Sequence, residues 1–131
     1  MEHPAIDLKD RTKKFALRVV KVVRSLPQSA EGRLVGNQLL RSGTSVAANY
    51  RAVCRARSRP EFLAKLAIVI EETDETELGL EFVVDAGLSY RHEIAGPHIR
   101  SQSIGSDLQR LKDHREERCS FNNQQFLRKV S

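Results

Sequence analysis

The chain has 131 residues, with 22 Lys and Arg against 17 Asp and Glu, and its formal net charge is +5. This length predicts one domain, and a 40% hydrophobic content without Trp predicts a core of Leu, Val, Ile and Ala. The two cysteines, Cys54 and Cys119, exclude a disulfide-rich fold and favour free thiols. Neither a membrane span nor a signal-peptide pattern is present, so we expect a cytoplasmic protein without a membrane partner.

The first predicted helix runs from about Asp7, its expected N-cap, to Ser25, and Pro27 ends it. Its buried stripe contains Leu8, Phe15, Ala16, Val19, Val20, Val22, Val23 and Leu26. A second, wholly basic stripe lies beside it, formed by Arg11, Lys14, Arg18 and Lys21. Such a stripe is either a solvated face or a surface that contacts phosphate, and the sequence leaves both alternatives open.

The second predicted helix begins near Ser29 and ends near Arg57. Its apolar stripe recurs in steps of three or four through Val35, Leu39, Ser42, Val46, Tyr50 and Val53. Gly32, Gly36 and Gly43 would each weaken an isolated helix by up to ~1 kcal/mol, so they predict close approach of a neighbouring helix. A row of cations lies beside the stripe, with Arg41, Arg51 and Arg55 at helical spacing and Arg57 and Arg59 extending the charge. We expect Cys54, beside Val53, to be a packed thiol.

The third predicted helix runs from Pro60 to Ala86. Ser58 and Glu61 have the spacing of a capping box, with Pro60 in the first turn and Gly87 as the C-terminal cap. Its inner face contains Leu63, Leu66, Ile70, Thr73, Leu80 and Val84.

Charge is strongly segregated along the chain. Bases dominate between Lys9 and Lys65, whereas residues 71–85 contain seven acids and no base. The segregation indicates either helix pairing and subunit contacts or a positive surface for phosphate. Arg41 lies next to the apolar stripe, so we expect it to form a buried, hydrogen-bonded pair with Glu72 or Glu75. Its removal should then leave a buried carboxylate unpaired, at a large cost in stability.

Residues 38–51, QLLRSGTSVAANYR, followed by Cys54-Arg55-Ala56-Arg57-Ser58, resemble the signature of the 23S rRNA intervening-sequence proteins, as do IEETDET at residues 70–76 and VDAGL at residues 84–88. The resemblance implies an all-α, up-and-down four-helix bundle that assembles as a homopentamer. Some members of that family are encoded within ribosomal RNA genes, and relatives are nucleic-acid-binding partners of a reverse transcriptase. Within this segment we assign structural roles to Asn49 and Ser58.

The sequence divides into residues 1–89, containing three helices with the family signature at 37–59, and a divergent tail at 90–131. The apolar pattern decays in the tail, and the family's fourth helix cannot be recognised there. The fourth helix is therefore atypical. It is either a remnant degraded by a frameshift near residues 100–105 or an ordinary divergent tail. Three amphipathic helices should leave an apolar groove for a further helix.

Catalytic and metal-binding patterns are missing. No Glu-x-x-His pair accompanies Glu72 and Glu75, and no Gly-rich phosphate loop occurs. Ser42, Thr44 and Ser45 lie within a helix, where hydroxyls bond back to earlier carbonyls. We therefore predict no enzyme, no cofactor and no metal.

Two functional hypotheses follow. The first is an oligomer that holds RNA or DNA by phosphate contacts with weak sequence preference, because only Tyr50 could stack on bases among these arginines. Its predicted contacts are Arg11, Lys14, Arg18, Lys21, Arg51, Arg55 and Arg57. The alternative is a scaffold that docks an acidic protein, such as a reverse transcriptase. The salt dependence of binding to generic nucleic acid separates the two hypotheses, because a log–log slope near zero favours the scaffold.

Overall fold

The computed structural model describes residues 4–88, 109, 110 and 113, with side chains from residue 8 onward. Its elements are three long helices: α1 (Pro4–Ser25), α2 (Ala30–Cys54) and α3 (Arg59–Asp85). No strand occurs within these residues. Short turns join successive helices, and α2 lies between α1 and α3 and packs against both. The all-α prediction is confirmed, whereas the predicted fourth helix and the frameshift lie almost entirely outside the described residues.

The core is built from the predicted stripes of α1 and α2 and from a face of α3 that overlaps the predicted one only in part. Phe15 and Val19 of α1, Leu39 of α2, and Leu66 and Val83 of α3 are fully buried. Val35, Ile70 and Val84 pack against this cluster at its margin. Full burial of a side chain of this size contributes on the order of 2 kcal/mol. Helical periodicity therefore identified the buried faces of α1 and α2, but on α3 it placed Leu63, Ile70 and Val84 inside, where the structure buries Val69, Thr76 and Val83 instead.

Small residues bring the helices close together. A Cβ on Gly43 would lie 2.9 Å from Val19 Cγ1, and a Cβ on Gly79 would lie 2.7 Å from Leu39 Cδ2. Gly43 therefore admits α1 to the surface of α2, as the sequence predicts, and Gly79 does the same between α2 and α3. Gly32 allows α2 to begin close to the preceding turn and not to another helix, because a Cβ at this position would lie 2.1 Å from the carbonyl oxygen of Pro27.

Serines cap the N-termini of both α2 and α3, and the capping box predicted at Ser58 is present. Ser29 Oγ accepts from the Gly32 amide at 3.1 Å, and Ser58 Oγ accepts from the Glu61 amide at 3.2 Å. The Glu61 carboxylate reaches back to the Arg57 amide at 2.9 Å. A hydrogen bond from Lys65, together with that amide, lowers the pKa of Glu61. The carboxylate therefore stays ionised at the positive end of α3, where a negative charge is favourable.

The C-terminus of α3 has the geometry of a Schellman motif. Gly87 adopts φ 68°, the Leu88 amide donates to the Val83 carbonyl at 2.9 Å, and the Gly87 amide donates to the Val84 carbonyl at 3.1 Å. The predicted glycine cap is thus confirmed, with Ala86 as the C-cap residue.

Two predicted helix ends are wrong. The first helix begins at Pro4, so Asp7 lies inside it and is not an N-cap. Proline is favoured in the first turn because its missing N–H would have no partner there, and this preference outweighs a local N-cap signal. The second helix ends at Cys54, with Arg55 as its C-cap, so Arg57 lies in the turn. The turn needs Ser58 in an extended conformation before α3 can begin, and this leaves Arg55 to Arg57 to reverse the chain.

Candidate nucleic-acid interface

The basic stripe predicted on α1 is divided in the structure. Lys14 and Lys21 are exposed, whereas Arg11 and Arg18 are half-buried and each has an interaction of its own. Lys14 also pairs with Asp10 at 2.8 Å on the exposed surface. Exposed surface pairs contribute little energy, so Lys14 keeps its charge available. The four residues therefore do not form one continuous surface for a phosphate backbone.

The arginines at the end of α2 are grouped differently. Arg51 and Arg55 are four residues apart and therefore neighbours on one face, and Arg57 follows in the turn. All three are exposed, and their side chains make no ion pair within the part of the chain that the structure describes. These arginines thus present uncompensated positive charge at one end of the molecule.

Arg59, the first residue of α3, adds to this group. Its Nε and Nη2 atoms are buried and have no hydrogen-bond partner. A buried guanidinium edge without an acceptor is costly, and native structures usually supply a protein group, a water or an ion for it. The sequence shows Arg59 in the row of arginines, but nothing in the sequence predicts that two of its nitrogens would be enclosed.

The predicted pair between α2 and α3 forms on the surface. Arg41 Nη1 donates to Glu72 Oε2 at 3.3 Å, and Arg41 Nη2 donates to Glu75. The hydrogen bond to Glu75, with the charges of both carboxylates, raises the pKa of Arg41. The prediction that this pair is buried is wrong for Arg41 and Glu75, whose side chains are 50% and 53% exposed, whereas the Glu72 side chain is 17% exposed. The long side chains meet above the seam between the helices, outside the core.

This exposure predicts a small and salt-dependent effect of Arg41→Ala. Water solvates the Glu75 carboxylate left behind, and Glu72, whose side chain is 17% exposed, loses a partner that is itself half exposed, so no fully buried charge is created. We expect the variant to unfold close to the wild-type denaturant midpoint at low salt and nearer still at high salt, where screening weakens the wild-type pair. Urea unfolding at two salt concentrations, with Arg41→Lys as the matched control, measures this. A large loss that persists at high salt would contradict the exposed geometry.

Other predicted residues have local structural roles. Asn49 Nδ2 donates to the Ser45 carbonyl at 2.9 Å within α2, and Ser58 caps α3. Thr44 Oγ1 lies 2.5 Å from the Leu40 carbonyl oxygen, as expected for a hydroxyl within a helix. Cys54 is exposed, so its predicted packing is wrong. As the last residue of α2 it lies about 100° around the helix from Val53 and points away from the core.

Polar contacts also cross the core. Thr76 Oγ1 lies 2.8 Å from Ser42 Oγ, and both residues are buried. Tyr50 is buried as well, so it cannot stack on a nucleic-acid base. Tyr50 therefore offers no stacking platform beside these arginines, and phosphate is the contact that their charges favour.

An apolar groove runs along the outer side of the α2–α3 seam. Its volume is about 420 Å³. Its floor and walls are formed by Leu34, Val35, Gln38, Arg41, Ser42, Glu75, Leu78, Gly79 and Phe82. Leu34, Leu78 and Phe82 are 64%, 51% and 52% exposed. Such large apolar side chains in one open groove indicate a surface for a further apolar element.

The described residues contain neither a metal-binding cluster nor a membrane-spanning helix. Among these residues no group of three or more His, Cys, Asp or Glu could hold a metal ion. No helix among them is both long enough and apolar enough to cross a membrane.

Comparisons with known proteins identify the family. The model of the 23S rRNA-intervening sequence proteins matches residues 5–109. The chain belongs to the 23S rRNA-intervening sequence protein family. The resemblance inferred from residues 37–59 is thus confirmed, and the family match extends into the segment that the sequence separates as a tail.

A solved structure shares this fold. The 1.70 Å crystal structure of a protein of unknown function from the S23 ribosomal protein family of Bacteroides thetaiotaomicron VPI-5482 aligns with a TM-score of 0.61. It is 31% identical to this chain, and the alignment covers 82% of this chain and 94% of that one. A search of curated proteins gives no match.

Proposed function

We propose that this 23S rRNA-intervening sequence protein is a non-enzymatic, oligomeric helix bundle that binds nucleic acid through phosphate contacts. The single observation that carries the proposal is the group of exposed arginines at the α2–α3 turn, Arg51, Arg55 and Arg57, whose side chains form no ion pair among the described residues. A phosphate backbone is the most common cellular polyanion that such a cluster meets. In this proposal a fourth helix from the segment after residue 88 closes the bundle.

Arg59 strengthens the proposal on chemical grounds. Its unpartnered nitrogens lie beside the same turn and next to the positive N-terminus of α3. An anion bound at the turn would give this side chain an acceptor if the guanidinium rotated outward. Glu61 opposes binding, because its carboxylate lies at the same helix end. Net attraction therefore depends on all the arginines of the turn acting together.

The test is the salt dependence of binding. Nucleic-acid-free protein is titrated with fluorescent DNA and RNA duplexes and single strands of unrelated sequence, at several concentrations of a monovalent salt. We expect similar affinities for unrelated sequences and a log–log slope of about −0.9 for each duplex phosphate contacted. A slope near zero, or no binding at low salt, would refute a phosphate interface.

A second candidate function uses the same charges. An acidic protein partner, such as a reverse transcriptase, would meet the arginines while an apolar segment fills the groove at Leu34, Leu78 and Phe82. The groove specifically favours this candidate, because a phosphate backbone has no apolar group to place there. Tight binding to such a protein, with no binding to nucleic acid at low salt, would select it.

A further inference from the structure

The outward face of α1 combines one apolar side chain with a ring of cations. Leu17 is 53% exposed and lies on the side of α1 opposite the buried stripe. Helical spacing places four exposed cations around it: Lys13, Lys14, Lys21 and Arg24. Asp10 is the one acid on this face. Leu17 thus places one apolar side chain at the centre of a basic face.

The outward face of α3 has the same arrangement with the opposite charge. Leu78 is 51% exposed, with Phe82 one turn further along. Helical spacing places five exposed acids around these two side chains: Glu71, Asp74, Glu75, Glu81 and Asp85. Arg41 of α2 pairs with Glu75. The other four acids form no ion pair among the described residues, and residues 71–85 themselves contain no Lys or Arg. The groove along the α2–α3 seam opens on this face.

We propose that the two faces bind each other between copies of this chain, with Leu17 of one copy seated in the groove at Leu78 and Phe82 of the next. The inference deepens the oligomeric part of the proposed function and does not depend on nucleic-acid binding. Apolar side chains fill the centre of the contact, and opposite charges surround it. This is the anatomy of a specific protein interface with a polar rim.

The size of the groove fits this occupant. A cavity of about 420 Å³ is larger than one leucine side chain, so it also holds the aliphatic stems of neighbouring lysines. The ammonium groups of Lys13 and Lys21 then extend to the acidic rim. Nucleic acid is a poorer occupant of the α1 face, because its phosphates would surround Leu17 without burying it against apolar surface.

The contact joins two different surfaces, so it is heterologous. Because α2 lies between α1 and α3, the two faces lie on different sides of the molecule. Each bound copy therefore leaves one face free for the next, and repetition gives a ring or a filament. The assembly consequently assigns the α1 cations to subunit contacts and leaves the arginines of the α2–α3 turn for another ligand.

Charge reversal and charge swapping test the contact. The first variant is Lys13→Glu/Lys21→Glu, the second is Asp74→Lys/Glu81→Lys, and the third combines all four substitutions in one chain. The matched control, Arg33→Glu/Arg51→Glu, reverses two exposed charges on α2. Molar mass is measured by light scattering and sedimentation velocity without nucleic acid, and circular dichroism confirms that each variant is folded.

We expect a wild type and control larger than a dimer, at least a tenfold weaker assembly in each double reversal, and recovery in the combined variant. An oligomeric wild type whose mass is unchanged by both reversals would overturn the assigned surfaces, as would a monomeric combined variant. A monomeric wild type would overturn both the inference and the oligomeric part of the proposed function, while leaving nucleic-acid binding to its own test.

Discussion

The Leu39→Ala variant should unfold with a free energy about 3 kcal/mol lower than the wild type, within the range of about 2–5 kcal/mol seen for such truncations. Leu39 is fully buried and fills the space left by the missing side chain of Gly79. Truncation of this side chain loses the free energy of burying it. It also leaves a cavity, because two long, packed helices cannot shift locally to close a gap at one helical turn. Urea unfolding at a fixed protomer concentration measures the loss.

Two further variants make this prediction specific. Leu39→Met, the volume-conserving control, should cost less than about 1.5 kcal/mol. Gly79→Ala should destabilise the wild type, because its Cβ would lie 2.7 Å from Leu39 Cδ2. In the Leu39→Ala background the same substitution should stabilise, since the clash is gone and Ala favours helix over Gly by about 1 kcal/mol. An equal effect of Gly79→Ala in both backgrounds would contradict the close approach of α2 and α3.

Periodicity predicted the interior of this protein better than its surface. The residues of the α2 stripe from Leu39 to Val53 are buried because spacing along a helix fixes their direction. The same rule cannot tell how far a long side chain reaches. The sequence therefore predicts the correct carboxylate partners for Arg41, but the pair lies at the surface between the helices and not in the core.

Helix ends depended on signals of unequal strength. Ser29, Ser58 and Gly87 each satisfy specific backbone groups, and the structure uses all three. The end of α2 has no comparable signal, since Arg55, Ala56 and Arg57 are all compatible with a helix. Tertiary geometry ends it at Cys54, where the chain must turn for α3 to pack back on α2. Pro4 was the signal that could have placed the start of α1 correctly.

The candidate interface could be predicted only in part. The sequence indicated the cations of α1 and of the α2–α3 turn as one functional class. The structure separates them, since Arg11 and Arg18 are half-buried while Arg51, Arg55 and Arg57 are exposed together. The unpartnered nitrogens of Arg59 and the apolar groove depend on how helices pack, and no local pattern specifies them.

Reversal of the arginines at the α2–α3 turn should have the largest effect on nucleic-acid binding. Arg51→Glu/Arg55→Glu removes two exposed cations and adds two anions at the same positions. We expect affinity for duplexes of any sequence to fall at least about tenfold at low salt, and the log–log salt slope to become shallower by about one unit for each lost contact. Stability should be nearly unchanged, because both side chains are solvated.

Three comparisons decide what such a loss means. Arg51→Lys/Arg55→Lys keeps the charge, so it should retain most of the binding if the contacts are electrostatic; a loss as large as the reversal would indicate bidentate arginine contacts. Arg33→Glu lies on the same helix, about 27 Å from Arg51, and should weaken binding less. Lys13→Glu/Lys21→Glu should lower affinity for nucleic acid only by weakening assembly. In an assembled ring the α2–α3 turns of several subunits bind the same nucleic-acid molecule, and this multivalency raises the affinity. Affinity that is unchanged in the Arg51/Arg55 reversal would remove the turn from the interface, whatever the assembly state.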